Sequence, residues 1–143
     1  MHTDTLYNQQ TETVKLRQRL IASWALAEGF LGGILHGLHL PLTGLIIGSV
    51  SVCCLALLAY SGGKRSDLIK ATLLVMLVKA MLSPHSPPAA YFAVFMQGFL
   101  ASLLFRGKSQ FKLKCLVLAV TTQILSAVQH MVILLIVFGK TFF

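Results

Sequence analysis

The chain has 143 residues, of which 56% are hydrophobic and only 11% charged, with a formal net charge of +8. So few charges cannot solvate the surface of a water-soluble domain, and the composition points to one helical membrane bundle. The positive balance does not point to nucleic acid, because the basic residues sit at segment ends without aromatic interleaving.

Residues 1–19 read as a polar cytoplasmic tail. Its first part, with Asn8, Gln9, Gln10 and Thr11, is expected to be mobile or interfacial rather than a signal peptide. Residues 20–143 read as a single transmembrane domain, with apolar runs at 20–38, 43–60, 68–82, 89–105 and 115–139. Each run approaches the ~20 residues that cross a hydrocarbon core, the third and fourth being the shorter ones. The fold class is therefore all-α, a polytopic bundle of about five transmembrane helices, or six if a further span is present.

Charge orients the bundle. Lys15, Arg17 and Arg19 precede the first run, Lys64, Arg65 and Lys70 flank the second link, and Arg106, Lys108, Lys112 and Lys114 flank the fourth. The links at 39–42 and 83–88 carry no Lys or Arg. The positive-inside rule then predicts a cytoplasmic N-terminus, two outward loops and an outward C-terminus, in a multi-pass protein of the cell membrane. Ser61, Gly62 and Gly63 read as an inner turn. On the outer side, Pro41 can open the second helix, while Pro84, Pro87 and Pro88 end the third and open the fourth.

The first run places Ala25, Gly29, Gly33 and Gly37 four residues apart, a ridge of bare backbone that permits close helix approach. It can pack within the chain, with Gly44, Gly48 and Ser51 as the facing groove, or dock onto a separate membrane subunit. Glu28 and Lys79 are the two ionisable residues well inside spans, at ~12 and ~16 Å of helix rise. They can pair with each other or contact a substrate. Gln97 and Gln123 fall at the depth of Glu28, while Gln129 and His130 fall higher, near His36. His39 and His85 lie at the outer rim. Glu28, Gly32, His36 and His39 share one helix face, a polar stripe that serves interhelical bonding or lines an outward pocket.

His36 and His39 have a spacing compatible with one metal ion, but no third ligand is fixed by a motif, so no metal site is expected. Cys53, Cys54 and Cys115 form no CxxC pattern. With no nucleophile elbow, paired carboxylates or acidic cluster, neither an enzyme nor a bound cofactor is expected.

Two stretches carry a resemblance: EGFLGGILHGLHLPLTGLIIGS from Glu28, and KATLLVMLVKAMLSPHSPPAAYFAVFMQGFLASLLF from Lys70 to Phe105. Their glycine-rich first helix, proline-containing outer turn and later glycine-containing helix resemble the S components, the substrate-binding membrane subunits of energy-coupling-factor transporters. The resemblance covers a little over half the chain. Members of that family generally have six helices, against five read here. The resemblance implies capture of a small molecule or ion from outside and docking onto a transmembrane coupling subunit driven by ATPases. Ala25, Gly29 and Gly33 match the docking surface, and the outer loops would gate the substrate. Substrate contacts are then expected among Glu28, His36, His39, Lys79, His85, Gln97, Gln129 and His130. The alternative is a structural or assembly membrane protein held together by small-residue packing. The partners expected are thus the lipid bilayer, a small-molecule substrate and a coupling subunit.

Overall fold

The structure, a computed structural model, describes residues 2–31, 34, 43–106 and 110–139, with side chains described for 9–30, 34, 44–106, 110–129, 131, 132, 135 and 136. The described residues are helical with no strand: α1 (His2–Leu26), which continues into a π-helical turn (Ala27–Leu31), α2 (Thr43–Tyr60), α3 (Arg65–Leu82), α4 (Pro88–Leu104) and α5 (Phe111–Gly139). The all-α expectation holds, and α2 has the bounds read from sequence.

The polar N-terminal segment, expected to be mobile or interfacial, is helical from His2. It contains neither Gly nor Pro, and its long polar side chains favour helix. Glu12 and Lys15 add an i,i+3 ion pair at 2.9 Å, and the Lys15 hydrogen bond holds the Glu12 carboxyl below the usual glutamate range.

The turns follow the punctuation of the sequence. Gly62 takes a φ of +81°, the left-handed conformation open to glycine, and lets α2 reverse into α3. At the start of α3 the Lys64 amide donates to Asp67 Oδ2 at 2.9 Å. Ser83 caps the end of α3, and α4 begins with Pro88 at its first position, where a missing N–H costs nothing. The turn expected at 39–42, Pro41 included, lies outside the described residues.

The connections gather at two ends. At one end Arg17 Nη2 donates to the Ser61 carbonyl at 2.7 Å and its guanidinium lies 3.6 Å from Asp67, tying α1 to the α2–α3 turn. Phe111 meets Tyr60 and Phe105 there, with ring centroids 5.6 and 5.4 Å apart. This end holds Lys64, Arg65, Lys112 and Arg106. At the other, proline-rich end, Tyr91 donates its hydroxyl to the Ser83 carbonyl at 3.2 Å, and Gln129 Nε2 donates to the Ala89 carbonyl. The core draws on all five helices through Trp24, Leu55, Val75, Val94 and Leu118, each almost wholly buried. On α4, Gly98 lets the backbone lie directly on Thr72 of α3, where any Cβ would overlap the threonine side chain.

Much of the exterior along α3 and α5 is apolar. Leu116, Val120, Ile124 and Val128 form an exposed four-residue ridge along α5, and Leu73, Leu77 and Met81 do so on α3. Over Phe111–Gln129, α5 is long and apolar enough to cross a membrane, while Gly44–Tyr60 and Pro88–Leu104 are apolar but shorter. Among the described residues no other helix meets that measure. The expectation of five full-length spans thus goes further than the helices themselves: Arg65, Asp67, Lys70 and Lys79 interrupt the apolar character of α3.

Candidate functional site

Glu28 lies in the π-helical turn Ala27–Leu31, a wider turn than an α-helix makes and one frequent at functional sites. The neighbouring glycine packs against α3. A Cβ on Gly29 would sit 2.8 Å from Leu82 Cδ1 and 3.2 Å from its Cβ, so a larger residue there would have to displace the Leu82 side chain at the end of α3. Across that contact Lys79 Nζ donates to Glu28 Oε2 at 2.7 Å, and from α2 Ser51 Oγ donates to Glu28 Oε1 at 2.5 Å. The Ser51 hydroxyl also lies 3.0 Å from the Ile47 carbonyl of its own helix. Glu28 and Lys79 are 2% and 4% exposed, and Ser51 is fully buried. One carboxylate thereby joins three helices, with both its oxygens satisfied.

Such a buried pair is held by its geometry. Removing one partner from a pair of this kind costs about 3–5 kcal/mol, whereas replacing the whole pair by apolar groups is often neutral.

A second polar set lies one helical turn away on α2. Gly48 has no side chain, and the space left beside it is bordered by two carboxamides: a Cβ there would lie 3.3 Å from Gln123 Nε2 and 3.5 Å from Gln97 Nε2. Gln123 donates to the Leu45 carbonyl and to Ser49 Oγ, both at 3.3 Å. Gln97 is 7% exposed, and its Oε1 is buried with no hydrogen-bond partner. Gln129 Oε1 is likewise buried without a partner. Buried polar groups left unpaired are uncommon and call for an explanation, a ligand or a water among them.

The expected site residues therefore separate. Glu28 and Lys79 come together, Gln97 joins Gln123 in the adjoining layer, and Gln129 lies toward the proline-rich end. His85 is exposed on the outer turn. His36, His39, Gly33 and Gly37, as well as the His130 side chain, lie outside the described residues. Ala25 is buried in the core and Gly29 is covered by Leu82, so this half of the ridge packs within the chain. Its partners differ from those expected: Ser51 does meet α1 through Glu28, but Gly48 faces Gln97 and Gln123, and Gly44 faces Ser126. Among the described residues no three His, Cys, Asp or Glu side chains gather as a metal site. Sequence reasoning did not reach the part played by Ser51 as a ligand of Glu28, or by Ser49 as a partner of Gln123. The one available signal was their position within a turn of Gly48 on a helix otherwise apolar.

No protein-family model, curated protein or solved structure matches this chain.

Proposed function

We propose that this chain is a multi-pass membrane protein with a cytoplasmic N-terminus, serving as the solute-binding subunit of a transporter. It takes a small molecule or ion from the outer side and docks onto a separate energised membrane subunit, as the resemblance to S components implies. The observation that carries this reading is two buried polar atoms inside the bundle, Gln97 Oε1 and, nearer the proline-rich end, Gln129 Oε1, each free to accept a hydrogen bond. Polar groups held inside a membrane bundle generally serve substrates or interhelical contacts, and these two atoms serve no contact.

The apolar ridges on α3 and α5 support the multi-pass reading, as does the gathering of Arg17, Lys64, Arg65, Arg106 and Lys112 at one end. With Ala25 and Gly29 covered within the chain, docking falls to Gly33 and Gly37. The test is purification from its native membrane in mild detergent, with mass spectrometry of released small molecules and of co-purified subunits. A released molecule that raises the melting temperature when added back supports the reading, because a binder of the native state stabilises it by mass action. Failure to find any stabilising molecule overturns it.

A second reading, a structural or assembly membrane protein, is favoured by the closure of the Glu28 site, whose oxygens are both occupied by Ser51 and Lys79. Under that reading the same purification yields a protein partner and no small molecule.

A further inference from the structure

Between α3 and α4 lies a groove of about 200 Å³, lined by Ile69, Thr72, Leu73, Phe95 and Phe99. That is below the ~300 Å³ at which pockets for whole small molecules begin, so the groove takes part of a longer molecule. The part it takes is hydrocarbon. Phe95 and Phe99 stack with ring centroids 6.1 Å apart, and the one polar lining group, the Thr72 hydroxyl, donates to the Leu68 carbonyl at 2.8 Å. Leu73, Phe95 and Phe99 are exposed, so under the membrane reading the groove opens to lipid.

Charge stands at one end of this groove. The contact of Gly98 with Thr72 fixes the register of α3 and α4, which run antiparallel through the short link between them. Arg65 precedes Thr72 by seven residues and Arg106 follows Gly98 by eight, so the two arginines stand level, about 10–12 Å of helix rise toward the basic end. Arg65 is four residues before Ile69 and eight before Leu73, on the face of α3 that lines the groove. Asp67 is turned about 200° away round the helix and meets Arg17 instead. Arg65 and Arg106 are both exposed, and among the described residues neither forms an ion pair.

We infer that the α3–α4 groove is a site for an anionic phospholipid of the cytoplasmic leaflet, with one acyl chain along Ile69, Phe95 and Phe99 and the phosphodiester between Arg65 and Arg106. This rests on the multi-pass reading above, which puts the basic end in the cytoplasm, and adds a partner to it. Charge selects the occupant. A zwitterionic lipid fills the groove equally well but brings a cation of its own to the two arginines, whereas an anionic one pairs with both. Their long side chains reach from the apolar wall to the headgroup level, and basic positions between helices on the cytoplasmic side bind anionic heads in this way.

The experiment uses the full chain in bilayers that mix phosphatidylcholine with phosphatidylglycerol of the same acyl chains, one or the other carrying bromine on its chains as a contact quencher of tryptophan fluorescence. Phe99→Trp puts a reporter in the groove, and the buried Trp24 adds a constant background. Phosphatidylglycerol is expected to be preferred about 25-fold at this reporter, about fivefold from each arginine. Arg65→Gln together with Arg106→Gln should bring the preference close to parity. Arg19→Gln together with Lys112→Gln removes the same charge from exposed positions on α1 and α5 and should leave it in place. An equal fall in the two double variants would mean a diffuse surface potential and overturn the inference. Where Phe99→Trp fails to fold, Leu73→Trp on the facing wall, at a half-exposed position, reads the same preference. Equal quenching by the two lipids overturns the inference and leaves the multi-pass reading standing, whereas quenching by neither lipid at either reporter overturns both.

Discussion

Lys79 on α3 reaches Glu28 in the π-helical turn after α1 at 2.7 Å, although 51 positions separate them in sequence, and beside them Gly29 packs against the Leu82 side chain. Because both groups are buried and hydrogen-bonded, Glu28→Gln and Lys79→Met should each destabilise the protein by about 3–5 kcal/mol. The double variant should recover part of that loss, with a coupling of about 0.5–3 kcal/mol in a double-mutant cycle of thermal or denaturant unfolding. Strict additivity would show that the two side chains act independently.

Ser51→Ala tests the third member of the knot. It leaves Glu28 Oε1 without its donor in a buried setting, a loss of about 1–3 kcal/mol for an unsatisfied acceptor. In the Glu28→Gln background the same substitution should cost less, since the amide oxygen demands a donor less strongly than a carboxylate does. An equal cost in both backgrounds would assign the Ser51 hydroxyl to the Ile47 carbonyl instead.

Gly98 sets how closely α3 and α4 approach. Gly98→Ala would place a Cβ on Thr72, forcing α3 and α4 apart, and overpacking of this kind costs about 1–3 kcal/mol. Gly44→Ala is the control, because among the described residues its Cβ would meet only Ser126 Oγ, at an ordinary 3.4 Å. Unfolding of the two variants side by side should show a loss at Gly98 and little change at Gly44. A loss of equal size at both positions would show that the overlap with Thr72 is not what makes Gly98 necessary.

The sequence made α2 to α5 legible because apolar runs, prolines and basic links agree closely on where each begins and ends. Glu28 and Lys79 were legible for a related reason, being ionisable groups at matching depth in two apolar runs. What escaped was rotation. Apart from its serines α2 is apolar all round, so nothing in TGLIIGSVSVCCLALLAY marks which side Gly44 and Gly48 turn to, and they face Ser126, Gln97 and Gln123 instead of α1. The helix over the polar N-terminal segment escaped as well, because polarity signals exposure and says little against helix. The π-helical turn has no sequence signature at all, since AEGFL reads as ordinary α-helix apart from its glycine.

Topology is the last expectation open to a direct test. Arg17 joins α1 to the α2–α3 turn, so the basic residues of three separate links lie at one end, and the prolines 84, 87 and 88 lie at the other. The positive-inside rule then puts the basic end in the cytoplasm. In a background with Cys53, Cys54 and Cys115 replaced, His85→Cys should react with a membrane-impermeant maleimide in intact cells, and Ser66→Cys only after permeabilisation. Both positions are exposed, so failure to react reflects the membrane rather than burial. The reverse pattern would invert the protein. Reaction of both in intact cells would mean that α3 does not span the bilayer, the outcome to which its Arg65, Asp67 and Lys70 make it most vulnerable.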